Sequence, residues 1–225
     1  MNPLLRNSEA HVFVKSLDTP SLSFEDEHHL DRVLRLEATD PITISDGQGK
    51  WATATWSRER GVTFTSKIHE VTKRAPLTVG LAIPKGDRPE LVVQKLTEIG
   101  VDRILLFETT HSVVRWDADR RTKQFERLSR IAREAAMQSR RVFTPHIQFT
   151  EFEHVIHQHG IAICEPGGRD ELDDSITGVL IGPEGGFDRE ELDFAVPKIG
   201  LGNTVLRVET AAIVAAFALV QHHGG

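Results

Sequence analysis

A chain of 225 residues, 39% hydrophobic and 27% charged, has enough apolar material for a sizeable core; disorder is excluded, and the length suits one large domain or two smaller ones. The formal net charge of −6 argues against binding nucleic acid through bulk electrostatics, so any such site must be a local basic patch. A single cysteine, Cys164, excludes an internal disulfide and a multi-thiolate metal site; with no signal-like apolar core and no run of roughly 20 apolar residues, the expectation is a cytoplasmic protein that is neither secreted nor membrane-spanning.

From His11 to about Val71 short alternating runs recur: HVFV, PITIS, WATATW and GVTFTSKIHEV, with DGQGK as a turn between two of them. They predict a small β domain over residues 1–73, most simply a compact barrel. Within it HHLDRVLRL reads as a short helix on which Leu30, Val33, Leu34 and Leu36 share one side. The pattern changes near Thr72–Pro76. LTVGLAI is a nearly continuous apolar run of the kind found in strands buried on both faces, and a second domain, residues 74–225, begins here. PKGDRPELVVQKLTEIG predicts a loop and a helix, with Leu91, Val92, Leu96 and Ile99 at helical spacing and Gly100 as the stop. RILLFET follows as another buried strand.

A long helix is expected from about Asp117 to Arg140, turning Phe125, Leu128, Ala132, Ala135 and Ala136 inward. Between Arg115 and Arg141 stand nine basic residues against four acidic. A solvated helix face would look the same, so this patch supports RNA contact without establishing it. GIAICEP and GVLIGPEGGF read as two more strands, the second leading into a helix capped by Asp188 with Glu190 and Glu191 in its first turn. Such alternation implies an α/β fold with a mostly parallel sheet. The last segment, ETAAIVAAFALVQHH, is apolar on nearly every side and must be buried in its own domain or against a partner subunit. His154, His157 and His159 have no cysteine companion and no convergent spacing, so no metal is expected. Neither GxxxxGK[ST] nor a strand-linked GxGxxG is present, which disfavours nucleotide and dinucleotide chemistry.

The most informative residues are Ile181, Gly182, Pro183, Glu184, Gly185, Gly186 and Phe187, between a buried strand and a helix start. Ligands of α/β proteins bind at this edge of the sheet; glycines there allow close backbone approach, and pre-helix N–H groups donate. A plain tight turn is the alternative for an arbitrary glycine pair. Two further segments shift the balance, LGNTVLRVETA from Leu201 to Ala211 and EAAMQSR from Glu134 to Arg140. With KGDRPELVVQKLTEIGVDRI, they resemble the RsmE family of the SPOUT superfamily, whose series KG, QKxTELG, EAAxQS, IGPEGGF and LGxxxLRxETA occurs in this order. The match runs from about Lys85 to Leu219. HHLDRVLRL and the ISDGQG turn resemble that family's PUA-like β-barrel. Met137 stands where many members carry an acidic residue, and Val208 where many carry threonine.

The resemblance implies an S-adenosylmethionine-dependent methyltransferase acting on N3 of a uridine in 16S rRNA or the small ribosomal subunit. It also implies a SPOUT α/β domain with a C-terminal trefoil knot, a PUA-like barrel that helps hold RNA, and a homodimer. By the same resemblance Thr109, His111, Ile181, Gly182, Pro183, Glu184, Gly185, Leu201, Gly202, Val205, Leu206 and Arg207 surround the cofactor. Arg207 is the first candidate to meet charge building on the uracil oxygens, with Gln138 and Arg140 as helpers. Glu209 either accepts the imide proton or holds Arg207 in place, and no residue is a secure general base. RNA contacts are expected from Arg32, Arg35, Arg115, Arg133, Arg140 and Arg141. Trp51, Trp56 and Trp116 are either packed or available to stack on bases, Trp116 being the most inviting. Two rivals stand beside this reading: a SPOUT enzyme with another RNA target, and a non-catalytic RNA-binding assembly factor with no tight affinity for the cofactor.

Overall fold

Short alternating strands and glycine turns build the first of two compact units, which comprises the chain up to Arg74 together with Arg133–Thr144. The structure, a computed structural model, describes residues 2–72 and 74–224. Helix α1 (Pro3–Arg6) is capped by the Asn2 side chain, which accepts from the Leu4 amide. β1 (Ala10–Phe13) pairs in parallel with β2 (Ile42–Ser45). β2 then runs antiparallel to β3 (Lys50–Ser57) through the DGQG turn, where Gly47 and Gly49 have φ of 72° and 108° and the Asp46 carboxylate accepts from the Gln48 amide. β4 (Gly61–Phe64) and β5 (His69–Glu70) both pair with β3, completing a mixed five-stranded sheet. Its inward residues, Val12, Ile42, Ile44, Ala52, Ala54 and Trp56, form one core with Leu30.

The expected helix in HHLDRVLRL takes another form. α2 (Phe24–His28), capped by Ser23, passes into a π-helical turn over His29–Val33, closed by the Leu34 amide on the His29 carbonyl at 2.9 Å. The wider turn inserts a residue into the helical phase. Leu30 is therefore fully buried and Leu36 half-buried, while Val33 and Leu34 are 60% and 41% exposed. Arg133–Thr144 joins this unit through Met137 against its core and Val142 against Leu5 and Trp51, a return from beyond the expected boundary at residue 73 that local pattern does not announce.

The second unit, Ala75–Ala132 with the chain from Pro145 onward, holds a six-stranded sheet whose neighbouring strands all pair in parallel. Its strands are β6 (Thr78–Ala82), β7 (Arg103–Phe107), β8 (His146–Phe149), β9 (Ile161–Cys164), β10 (Gly178–Ile181) and β11 (Lys198–Ile199), in spatial order β11-β9-β10-β6-β7-β8. The continuous apolar runs are buried on both faces, as parallel strands between helices must be. α3 (Arg88–Ile99) ends at Gly100, whose φ of 116° lets its amide reach the Leu96 and Thr97 carbonyls. α4 spans Ala118–Gln138, α5 Phe152–Ile156, α6 Arg189–Leu192 and α7 Val208–His222. α3 and α7 pack together on the face lined by Val79, Leu81, Ile104 and Leu106, while Phe107, Phe152, Phe187 and Leu180 fill the other.

Phe125 departs from expectation and is 45% exposed. The inward stripe of α4 passes through the half-buried Arg121, Gln124 and Ile131 and the buried Leu128 and Ala132, one residue out of phase with Phe125.

Candidate cofactor site and its surroundings

β9 and β10 are neighbours whose last residues, Cys164 and Ile181, stand in register. The loops leaving them meet the segment before α7 and enclose a cavity of about 300 Å³ at the C-terminal edge of the sheet. Local chemistry shapes each wall. A Cβ at Gly182 would stand 3.0 Å from the Phe187 ring, so glycine lets the loop close over that ring. Gly202, at φ 130°, turns the chain before Val205 and Leu206. α6 is anchored by a capping box: the Asp188 carboxylate accepts from the Glu190 amide at 3.0 Å, and Glu191 Oε2 accepts from the Asp188 amide at 2.7 Å.

Ile181, Gly182, Pro183, Glu184, Leu201, Gly202, Val205, Leu206 and Arg207, nine of the twelve residues expected at the cofactor, line this cavity. Gly185, Thr109 and His111 do not themselves line it, although Gly185 stands between the lining residues Glu184 and Gly186. Gly185 faces His111, where a Cβ would come within 3.2 Å of the histidine Cβ. His111 Nδ1 donates to the Gly186 carbonyl at 3.2 Å, and its Nε2 lies 3.6 Å from Asp188. Thr109 is buried and borders a separate, more polar groove of about 560 Å³ with Glu108, Thr110, Arg115, Glu151 and Glu191.

The cavity also has a wall outside the motif segments, Cys164 at the end of β9 with Glu165 and Pro166 after it, and within those segments Phe187, Val208 and Ala211 join the expected contacts. GIAICEP carried a usable signal, since the strand beside β10 ends at the same edge. Burial pushes the Cys164 thiol up to about 12, leaving it a neutral, unreactive wall, and raises the Glu165 carboxyl from its ordinary value. Apolar side chains, glycine backbone and a few polar groups suit a small ligand with a flat apolar part and a charged tail.

Of the catalytic candidates, Arg207 borders the cavity, exposed at the N-cap of α7. Glu209 follows in the first turn, but its ionic partner is Arg88, with Nε 3.7 Å from Oε1, rather than Arg207. Its Oε2 is buried without a hydrogen-bond partner among the described atoms. Gln138 and Arg140 belong to the first unit. Arg140, two residues after α4, takes the left-handed conformation, φ 60°, with the Arg141 amide bonded back to the Ala136 carbonyl, and its guanidinium donates to the Ser8 and Glu9 carbonyls at 2.9 and 3.1 Å.

The RNA-contact candidates divide. Arg32 and Arg115 keep side chains 65% and 64% exposed beside Asp31 and Glu108 respectively. Arg35 is exposed and ends its turn at φ 53°. Arg133 is engaged inside the first unit, donating to both oxygens of Asp26 at 2.7 and 3.0 Å, and Arg141 is half-buried with its carbonyl bonded to His11. Trp51, Trp56 and Trp116 are all buried, which removes them as stacking platforms: Trp51 lies on His69, and Trp116 lies edge-on to Phe149. Among the described residues no group of three or more histidine, cysteine or carboxylate side chains is placed to hold a metal ion.

The RNA methyltransferase domain matches residues 72–220, which sets the class of the protein. The chain is 27% identical to the Ribosomal RNA small subunit methyltransferase E (RsmE) of Bacillus subtilis, across 92% of this chain and 91% of that protein. Two solved structures share its fold at similar identity. A putative methyltransferase from Legionella pneumophila with bound SAM superposes with a TM-score of 0.77 at 28% identity, covering 93% of this chain and 96% of that one. The Ribosomal RNA small subunit methyltransferase E of Neisseria gonorrhoeae, bound to S-adenosyl methionine, gives 0.76 at 26% identity over the same shares. The chain belongs to the RsmE family of RNA methyltransferases.

Proposed function

We propose that this protein uses S-adenosylmethionine to methylate N3 of a uridine in 16S rRNA, working in the cytoplasm on free rRNA or the small subunit. The observation that carries the reading is the cavity at the sheet edge, walled by the two motif segments Ile181–Phe187 and Leu201–Ala211. In this reading residues 1–73 form a PUA-like barrel that helps hold RNA. Residues 74–225, apart from the Arg133–Thr144 segment that packs in the first unit, form a SPOUT domain whose C-terminal segment is threaded as a trefoil knot, an exception to the rule that chains do not thread their own loops.

When bound, the cofactor supplies an electrophilic methyl group on a sulfonium. Leu201, Leu206 and Ala211 would hold its apolar part, and Gly182 and Gly202, which also line the cavity, would offer backbone groups to its polar edges. Arg207 stands at the cavity border, where charge on the uracil oxygens would build, and the base must be unstacked to reach it. Holding the nitrogen in line supplies several kcal/mol of the barrier, with a ceiling of about 7 to 11. Arg32, Arg35 and Arg115 keep exposed guanidinium groups for phosphates, whereas Arg133 and Arg140 serve the fold of the first unit. The protein acts as a homodimer, because α7 leaves Val214 and Phe217 exposed on the face away from its own core.

The test is calorimetric titration with S-adenosylmethionine of the wild type and Val205→Trp, followed by methyl transfer to 16S rRNA and mapping of the modified base. Val205 is 84% exposed at the cavity, so tryptophan there blocks the space without disturbing the core. Saturable binding that is lost in the variant, with label at N3 of one uridine, is expected. Folded wild type that binds no cofactor favours the assembly-factor reading, and label at another base favours a different RNA target.

A further inference from the structure

Arg88 connects two of the segments that wall the cavity. It is the first residue of α3, after Asp87. Its Nη1 donates to Glu184 Oε1 at 3.3 Å, in the loop after β10, and its Nε lies 3.7 Å from Glu209 Oε1, in the first turn of α7. Glu184 itself lines the cavity, and Glu209 is flanked by Val208 and Ala211, which also line it. The Glu209 side chain is only 14% exposed, against 35% for Arg88 and Glu184, and its second oxygen has no hydrogen-bond partner among the described atoms. One cation thus serves two carboxylates on separate segments, one of them mostly buried. Without it, both negative charges would lose their ionic partner and repel each other.

We propose that Arg88 is a positioning residue for the cofactor cavity, tying the loop after β10 to the start of α7 so that the two walls keep the spacing a bound cofactor needs. This rests on the cavity being the S-adenosylmethionine site. The base for the tie is α3, whose body packs against α7. The direction of the effect separates positioning from simple charge. S-adenosylmethionine is a net cation at neutral pH, so deleting a nearby arginine would by electrostatics alone favour its binding. Loss of the tie weakens it.

The experiment is calorimetric titration of S-adenosylmethionine into the wild type, Arg88→Gln, Arg88→Lys, Glu184→Ala and the Arg88→Gln/Glu184→Ala double variant, with melting curves to confirm folding. Arg88→Gln is expected to weaken binding about two- to fivefold, the range open to a part-exposed ionic tie. Arg88→Lys should recover part of that loss, because it restores the charge but not the fork. The double variant should bind no more weakly than the worse single, since both break one link. Unchanged or tighter binding in Arg88→Gln, or losses that add in the double variant, overturns the proposal. Should Arg88→Gln not fold, unchanged affinity in Glu184→Ala, altered in an exposed loop, overturns it equally. A wild type that binds no cofactor removes the functional reading itself, a different result from a binding wild type indifferent to Arg88.

Discussion

His11 shows how far a single side chain depends on its surroundings. It is 2% exposed, and burial is the chief reason its imidazole is held down to about 4; the Arg141 carbonyl pulls the other way, and the charge of Arg140 lowers it further. With a carbonyl on Nε2 at 2.9 Å, that nitrogen carries the proton and Nδ1 accepts from the Thr43 hydroxyl. Between pH 6.5, where the unfolded side chain titrates, and about 4, the unfolded chain takes up a proton that the native state refuses. Stability of the first unit therefore falls as pH drops through that window, by about 3 kcal/mol in all, and the slope ends below it. Urea midpoints measured from pH 7 to 4 should show this decline, and His11→Asn should flatten it; an equally steep decline in the variant would assign it to other groups. Asp26 acts in a lower window. Burial alone would raise its carboxyl, but hydrogen bonds from Arg133 and Ser23 outweigh that and hold it below its usual value, so its contribution is present above about pH 4 and fades below. Arg133→Ala, which strands this buried carboxylate, should cost about 2 to 4 kcal/mol in the same urea assay at pH 7. A loss under 0.5 kcal/mol would mean that Asp26 finds another partner. None of this was legible beforehand. Arg133 and Arg140 sit in a basic run that looks like a solvated face, and what engages them lies more than 100 residues away in sequence.

Elements were more legible than residues, for a physical reason. Strands buried on both faces must be continuously apolar, and half-buried ones must alternate, so LTVGLAI, RILLFET, GVLI and WATATW announce themselves. A π-turn leaves no such trace, which is why HHLDRVLRL presents Leu30 inward but Val33 and Leu34 outward. At α6 the sequence shows the cap but not its reach. Glu191 spends one oxygen on the Asp188 amide and the other on the Thr110 amide and hydroxyl, at 2.8 and 3.0 Å, so one carboxylate secures both the helix start and the loop after β7. Glu191→Ala should therefore lower stability by about 1 to 2 kcal/mol, while Glu190→Ala, one position away and exposed, should change it by less than about 0.5. Thermal unfolding of the two variants side by side decides this, and equal effects would mean that Glu191 contributes only its charge near the helix dipole.

At the scale of the whole molecule the informative feature is α7. Its composition demands burial on nearly every side, and the sequence alone leaves open whether its own domain or a second subunit supplies it. The structure divides the answer. Ala211, Ala212, Ala215, Ala216, Leu219 and Val220 enter the core of the second unit, whereas Val214 and Phe217, 39% and 59% exposed, turn outward. Covering a phenylalanine of this kind contributes about 1.5 to 3 kcal/mol, and a second α7 brought by a two-fold axis would cover it with an identical apolar face. The mass by light scattering should then be about twice the 25.1 kDa of one chain, and Phe217→Glu should halve it, since facing carboxylates in an apolar contact repel and lose solvation. The core does not hold Phe217, so the far-ultraviolet spectrum of the variant should match the wild type. If each cofactor site is completed by the partner subunit, the monomeric variant should also lose affinity for S-adenosylmethionine, whereas full affinity in a folded monomer would show that one chain builds the site alone. A wild-type mass of 25.1 kDa at every concentration would remove the dimer, and the outward face of α7 would then need another partner.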